Sequence, residues 1–258
     1  TESHPAALLL QFLAAYGSAI GPTPHFLLEK TKHRANLFVA VVGDTAKARK
    51  GTSLQWVEFI MREACPEWAT RITSGLSTGE GVVQAVRDPS EDPDCQPGAN
   101  DKRLFVKESE FASVLMKMKR EGNTLSALLR DAWDSTELQI LTRKDPLKAT
   151  GVHFSVVTHI TRDELLATIT ATDQANGTAN RFLWALVHRT KKMAHGGSLA
   201  ESDPSLLSLI SRVRESVSLA TRRNRLNWSP KAMRLWGPVY DRLSELGITL
   251  PPLAVSTV

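Results

Sequence analysis

The feature that most restricts what this chain can become is the run LFVAVV at residues 37–42, which ends directly on Gly43. The run is short, almost wholly apolar and rich in β-branched residues, without the alternation of a half-solvated strand. Such a pattern reads as a strand buried on both faces of a parallel sheet. The segment GDTAKARKGTS follows at residues 43–53, and Leu54, Val57, Phe59, Ile60 and Met61 then suit a helix. A buried strand, a glycine- and lysine-rich turn and a helix are predicted in immediate succession.

The same alternation recurs downstream. Residues 104–106, 152–157 and 182–187 read as further strands with helical segments between them, giving an α/β chain with a mainly parallel central sheet flanked by helices. Leu9, Phe12, Leu13 and Tyr16 predict an amphipathic helix over 5–19, broken by Gly21, Pro22 and Pro24. Asp203 before Pro204, and Ser229 before Pro230, are cap-then-proline starts that predict helices over 204–221 and 230–245, the second closed by Gly247. Residues 88–101, with three prolines and five acids, read as a surface loop that tolerates insertion. Three parts are expected: a helical lead-in at 1–35, a core at 36–195 and a helical segment at 196–258.

At 258 residues, with 42% hydrophobic and 23% charged, the chain can bury a full core and is neither disordered nor fibrous. Its net charge of +5 favours anionic partners: nucleotides, nucleic acid or an acidic protein face. Cys65 and Cys95 stand in no metal-ligand spacing, so neither a disulfide framework nor structural zinc is expected, and a reducing cytoplasm fits. The apolar stretch 6–20 is interrupted by Gln11, Gly17 and Ser18, is too short to span a bilayer and lacks a basic leader. No membrane association is expected. A start at Thr1 and an end at PPLAVSTV suggest part of a longer protein.

Where a strand runs into a tight glycine turn and then a helix, backbone N–H groups and the positive helix terminus suit phosphate. The usual pattern is G-x-x-x-x-G-K-[ST]. Here Ala48 takes the second glycine slot and Arg49 the lysine slot, followed by Lys50, Gly51, Thr52 and Ser53. Lys50 is read as the phosphate-binding lysine in a loop one residue longer, with Arg49 as a second cation that can exchange roles with it. Thr52 or Ser53 would supply a hydroxyl to magnesium, and Gly43, Asp44 and Thr45 complete the wrap around the phosphates of ATP. A basic surface turn before a helix is the simpler alternative.

A second strand in nucleotide hydrolases delivers carboxylates to the metal and to the attacking water. Glu108 and Glu110 share one side at strand spacing and can lie at the carboxyl edge of the sheet. Glu108 is assigned to the metal shell and Glu110 to water activation; two solvated glutamates starting a helix explain them equally. Thr161 with Glu164 matches a capping box, and His159 is left open between phosphate sensing and structure. In GLSTGEG, residues 75–81, Ser77 or Thr78 caps a helix, and the loop is a candidate second phosphate-side loop. Arg181, after the polar loop 176–180, is either an arginine finger reaching a neighbouring subunit's ATP or a surface ion-pair partner. Basic clusters at Lys117/Lys119/Arg120, Arg189/Lys191/Lys192 and Arg222/Arg223/Arg225 can follow a nucleic-acid backbone, but no aromatic interleaving is visible and the six tryptophans are spread out.

Taken together, HPAALLLQFL, GDTAKARKGTS, GLSTGEG with VRDP behind it, FVKESEFASVL, GNTLSALLRDAWD, HITRDEL and NGTANRFLW resemble the RecA-like P-loop ATPase domains of bacterial plasmid, phage and mobile-element primase-helicase proteins, over roughly residues 4–195. The resemblance implies a RecA-like ATPase core at 36–195, ATP with Mg²⁺, and a helicase-like motor acting on single-stranded DNA in replication of a mobile element. It also implies a homo-oligomer, with a hexameric ring as one form, in which Arg181 acts across the interface. Lys107 at an apolar position, Thr178 at an aromatic one and the early end of the helical region depart from that family's pattern.

Overall fold

The computed structural model describes residues 1–44, 48–89, 97–141, 146–195, 197 and 199–245. Helix α1 (Pro5–Ile20) leads to a hairpin of β1 (His25–Leu28) and β2 (Thr31–Arg34), then β3 (Phe38–Val42), α2 (Lys50–Ala64) and the single turn α3 (Pro66–Ala69). Next come β4 (Ile72–Thr73), α4 (Gly79–Ala85), β5 (Arg103–Glu108), α5 (Phe111–Met118) and α6 (Leu125–Asp134). A small hairpin of β6 (Leu138–Ile140) and β7 (Leu147–Ala149) precedes β8 (His153–Ile160), α7 (Arg162–Thr168), α8 (Ala171–Ala175) and β9 (Phe182–Leu186). Last are α9 (Pro204–Thr221), β10 (Arg225–Leu226) and α10 (Pro230–Glu245).

Five strands form one sheet in the order β4-β5-β8-β3-β9, every neighbouring pair parallel. The apolar run at 37–42 therefore becomes a central strand, and β3 and β8 are buried at every position. Alternation across β3 builds two cores. Phe38, Ala40 and Val42 face α4, α5 and α6, while Val39 and Val41 face α1, α2 and α9. The chain is an α/β protein with a parallel sheet between two helical layers, an arrangement compatible with a RecA-like fold.

After α1 and the break at Gly21, Pro22 and Pro24, the rest of the 1–35 lead-in holds the β1–β2 hairpin, which the sequence reading did not foresee, and β10 pairs with β1 in parallel. TKHR has no apolar alternation to announce a strand. Its partners across the sheet supply the order. The capping expectations are met locally: Thr161 and Glu164 form a reciprocal capping box on α7, Thr78 accepts the Gly81 N–H on α4, and Asp203 accepts the Ser205 N–H on α9. Residues 90–96 of the expected surface loop lie outside the described residues. Among the described residues, no helix is long and apolar enough to cross a membrane.

Candidate functional site at the carboxyl edge of the sheet

Three adjacent strands deliver their ends to one edge. β3 runs into Gly43, whose N–H donates to the Ile160 carbonyl of β8 at 3.1 Å, and the Val187 N–H donates back to the Val42 carbonyl at 2.8 Å. Gly43 must lack a side chain, because a Cβ there would stand 2.5 Å from Val187 O and 2.7 Å from Ala48 Cβ. The chain thereby leaves the sheet tightly. Thr45, Ala46 and Lys47 lie outside the described residues.

Lys50 opens α2 and folds back over the turn. Its Nζ donates to the carbonyl of Gly43 and, at 3.2 Å, to that of Asp44. Burial of the ammonium lowers its pKa, against the opposing pull of the Glu164 and Asp44 carboxylates. Arg49 precedes the helix in the left-handed conformation, φ 52°, and points elsewhere: its Nε donates to Glu2 Oε2 at 2.7 Å. The Glu2 carboxylate also accepts the Met193 N–H at 2.6 Å and lies 3.7 Å from Arg189. These contacts hold its pKa below the usual carboxylate range, the Met193 N–H first and Arg49 next. Among the described residues it is Lys50, and not Arg49, that lies over the turn.

Of the two hydroxyls, Thr52 makes no hydrogen bond to the described residues and is partly exposed, whereas Ser53 is fully buried. Ser53 Oγ donates to the Lys50 carbonyl at 2.6 Å and accepts from Gln11 Nε2 at 2.7 Å. Gln11, also fully buried, donates to Ala7 O at 2.8 Å and accepts from His159 Nε2 at 3.0 Å. Both Gln11 amide protons are thereby used, so the ring nitrogen His159 presents to Oε1 carries the proton. Burial, reinforced by the Lys50 charge, pushes the His159 pKa down to about 4. A buried polar chain thus links β8, α1 and the first turn of α2 beneath the loop. The Gln11–His159 pair escaped the sequence reading, although a glutamine within an apolar helical stretch was its one signal.

The segment after β9 forms the other wall. A cavity of about 320 Å³ is lined by Asp44, Ala48, His188, Arg189, Thr190, Lys191 and Lys192. Three cationic side chains, Arg189, Lys191 and Lys192, against the one acid Asp44 give it a positive balance that suits an anion.

The carboxylates expected nearby stand apart. Glu108 ends β5 in register with Thr158, two residues short of Ile160. β8 intervenes, so β5 and β3 are two strand spacings, roughly 10 Å, apart. Glu108 Oε1 accepts the N–H groups of Gly75 and Leu76 at 2.5 and 2.6 Å, and so fastens the GLSTGEG loop beside a cavity of about 140 Å³. Glu110 is exposed at the N-terminus of α5 and makes no side-chain cap. Lys107, one residue before Glu108, faces the other way and binds Glu58 of α2 at 2.8 Å. Among the described residues, no three His, Cys, Asp or Glu side chains gather as a metal cluster.

Arg181 lies at the opposite edge. It precedes Phe182, which is level with Phe38 at the start of β3, so about 16 Å of strand separates it from Gly43. Its guanidinium donates to Asp134 Oδ2 at 2.5 Å and to the Gly177 carbonyl at 2.9 Å. Within one subunit it does not join the Lys50 site. No known protein family matches the chain, and no curated protein matches it.

Proposed function

We propose that the chain is an ATP-binding and hydrolysing domain of RecA-like, P-loop type, a helicase-like motor acting on single-stranded DNA in the replication of a mobile element. The observation that carries the reading is Lys50, whose ammonium spans the Gly43 and Asp44 carbonyls where the central strand enters α2, beside a basic cavity. A lysine folded onto backbone carbonyls is held ready to exchange those acceptors for phosphate oxygens, while the N-terminus of α2 adds N–H groups and a partial positive charge. Arg189, Lys191 and Lys192 would neutralise the remaining phosphate charge.

Magnesium requires few protein donors beside phosphate and water. The Thr52 hydroxyl suits that part, whereas Ser53 is spent in the interior. Glu108 would reach the metal shell only by letting go of Gly75 and Leu76. In the homo-oligomer, hexameric or otherwise, Arg181 would serve a neighbouring subunit after leaving Asp134.

Titration with a fluorescent ATP analogue, with and without magnesium, tests the reading. Binding that is lost in Lys50→Ala but kept in Lys47→Ala supports it, and a wild-type chain that binds no ATP overturns it. The engagement of Glu108 and Arg181 favours one second reading, a nucleotide-dependent assembly or regulatory module. That reading predicts ATP-dependent oligomerisation with negligible turnover and no effect of single-stranded DNA.

A further inference from the structure

We propose that the amino-terminal strap, residues 1–4, is a built-in competitor for the anion site around Lys50: the Glu2 carboxylate holds donors that a polyphosphate takes over when the strap lets go. The proposal rests on the reading that phosphate binds at the start of α2, and adds what keeps that site closed beforehand.

One carboxylate ties two segments together. Oε2 of Glu2 accepts from Arg49 Nε at 2.7 Å, where α2 begins. Its Oε1 accepts the Met193 N–H at 2.6 Å and lies 3.7 Å from Arg189 Nη1, in the segment that follows β9. Two guanidinium groups and a backbone N–H are the donor types that receive a phosphate. The rest of the strap follows Glu2. The Thr190 N–H donates to the Glu2 carbonyl at 3.3 Å, Ser3 Oγ donates to the Arg49 carbonyl at 3.1 Å, and the His4 ring meets that of His188 edge-on at 5.2 Å. His188, Arg189 and Thr190 all line the cavity of about 320 Å³. The strap therefore runs along one wall of the basic cavity and is fastened to the residue that opens α2.

What holds the strap is what an anion can replace. Among the described residues, the first member of either apolar core is Ala7, so the strap is kept in place by charge and hydrogen bonds. Ion pairs made by an exposed guanidinium such as Arg49 are individually weak. A triphosphate sets several charges against the single one of Glu2, and competes for Arg49 and Arg189 at an advantage. Arg49 also stands in the left-handed region at φ 52°, which a residue with a Cβ disfavours, its carbonyl held by Ser3 and its guanidinium by Glu2. Release of both ends frees it to turn toward Lys50. A purely structural clasp predicts the opposite: removing the Glu2 charge would loosen the 188–193 wall and weaken anion binding.

The test is isothermal titration calorimetry of the full chain with inorganic tripolyphosphate at low salt. Glu2→Gln should bind about fivefold more tightly than the wild type, the size of one surface ion pair. On an Arg49→Gln background the same change should gain little, because competitor and donor act as one pair. In the wild type, hydrogen exchange of the Thr190 N–H should quicken as tripolyphosphate saturates, since its acceptor leaves with the strap. The proposal is overturned if Glu2→Gln binds no more tightly, if neither chain binds tripolyphosphate, or if Thr190 exchange does not change at saturation. A gain that persists in full on the Arg49→Gln background reports only the altered net charge and overturns it too. Tighter tripolyphosphate binding by Glu2→Gln, with neither chain binding the ATP analogue, upholds the strap and removes the nucleotide reading. An ATP analogue that binds both chains equally does the reverse.

Discussion

Gln11 Nε2 donates to Ser53 Oγ at 2.7 Å, joining the interior of α1 to the first turn of α2, where the Ser53 hydroxyl in turn donates to the Lys50 carbonyl. Gln11→Leu would strand the buried His159 N–H and deprive Ser53 of its donor. An unsatisfied buried group costs about 1–3 kcal/mol, so urea denaturation should show a loss of that order. Adding Ser53→Ala should cost less on the Gln11→Leu background than on the wild type, because the two residues share one network. Equal stability of Gln11→Leu and wild type would show the network to be dispensable.

Acid should weaken the fold in two stages. His153 and His159 are both lowered to about 4, first by burial. Their unfolded value lies near 6.5, so the unfolded chain takes up more protons between roughly pH 6.5 and 4, and stability falls as pH drops through that window. Each ring contributes on the order of 3 kcal/mol when the whole window is crossed. Asp88 and Asp101 act later. Lys102 with Thr150, and Arg103 for the second, overcome burial and hold them below the ordinary carboxylate value, so their stabilisation is lost only below about pH 4. Chemical denaturation at pH 7.5, 5 and 4 should show the histidine stage roughly halved in His153→Leu.

Gly43→Ala places a methyl group against Val187 O and Ala48 Cβ, and neither backbone nor strand end can yield without moving the turn. A loss of about 1–3 kcal/mol is expected, as for overpacking elsewhere. The fluorescent ATP analogue should bind more weakly as well. A Gly43→Ala chain that melts with the wild type would show that the approach of Val187 relaxes freely.

Glu2→Gln should change thermal stability only slightly, since Arg49 lies at the surface, 45% exposed, and the amide of Gln can still accept the Met193 N–H. It removes the counter-charge from Arg49 and weakens the hold on the segment bearing Met193. With Arg49 released toward the loop, the ATP analogue should bind more tightly at low salt, and the gain should shrink as salt screens it. Unchanged affinity would place Arg49 outside the site whether or not Glu2 restrains it.

Local signals carried far in this chain. The 37–42 run, the Thr161/Glu164 box and the Asp203–Pro204 start each depend on neighbours within a few residues, and each folds as read. What stayed hidden is the set of partners brought from far away. Glu108 could be placed at a strand end, but its acceptance of the Gly75 and Leu76 N–H groups depends on a loop 32–33 residues earlier. Trp228 and Trp236 look scattered beside Phe26 until β10 pairs with β1. Arg181 reads as an unattached cation because nothing near it announces Asp134, 47 residues upstream.

β3 has a kinetic consequence. The strand is made early, yet both of its neighbours, β8 and β9, come more than a hundred residues later. During synthesis one of its hydrogen-bonding edges stays open until residue 160 and the other until residue 186 has left the ribosome, and closing such distant pairs is slow. VAVV at its centre is a short, uncharged, β-prone sequence, so the interval before β9 docks is when the nascent chain is most exposed to aggregation. Truncations ending before β9 should accumulate as inclusion bodies, whereas losing α10, which buries nothing, should leave the sheet able to close.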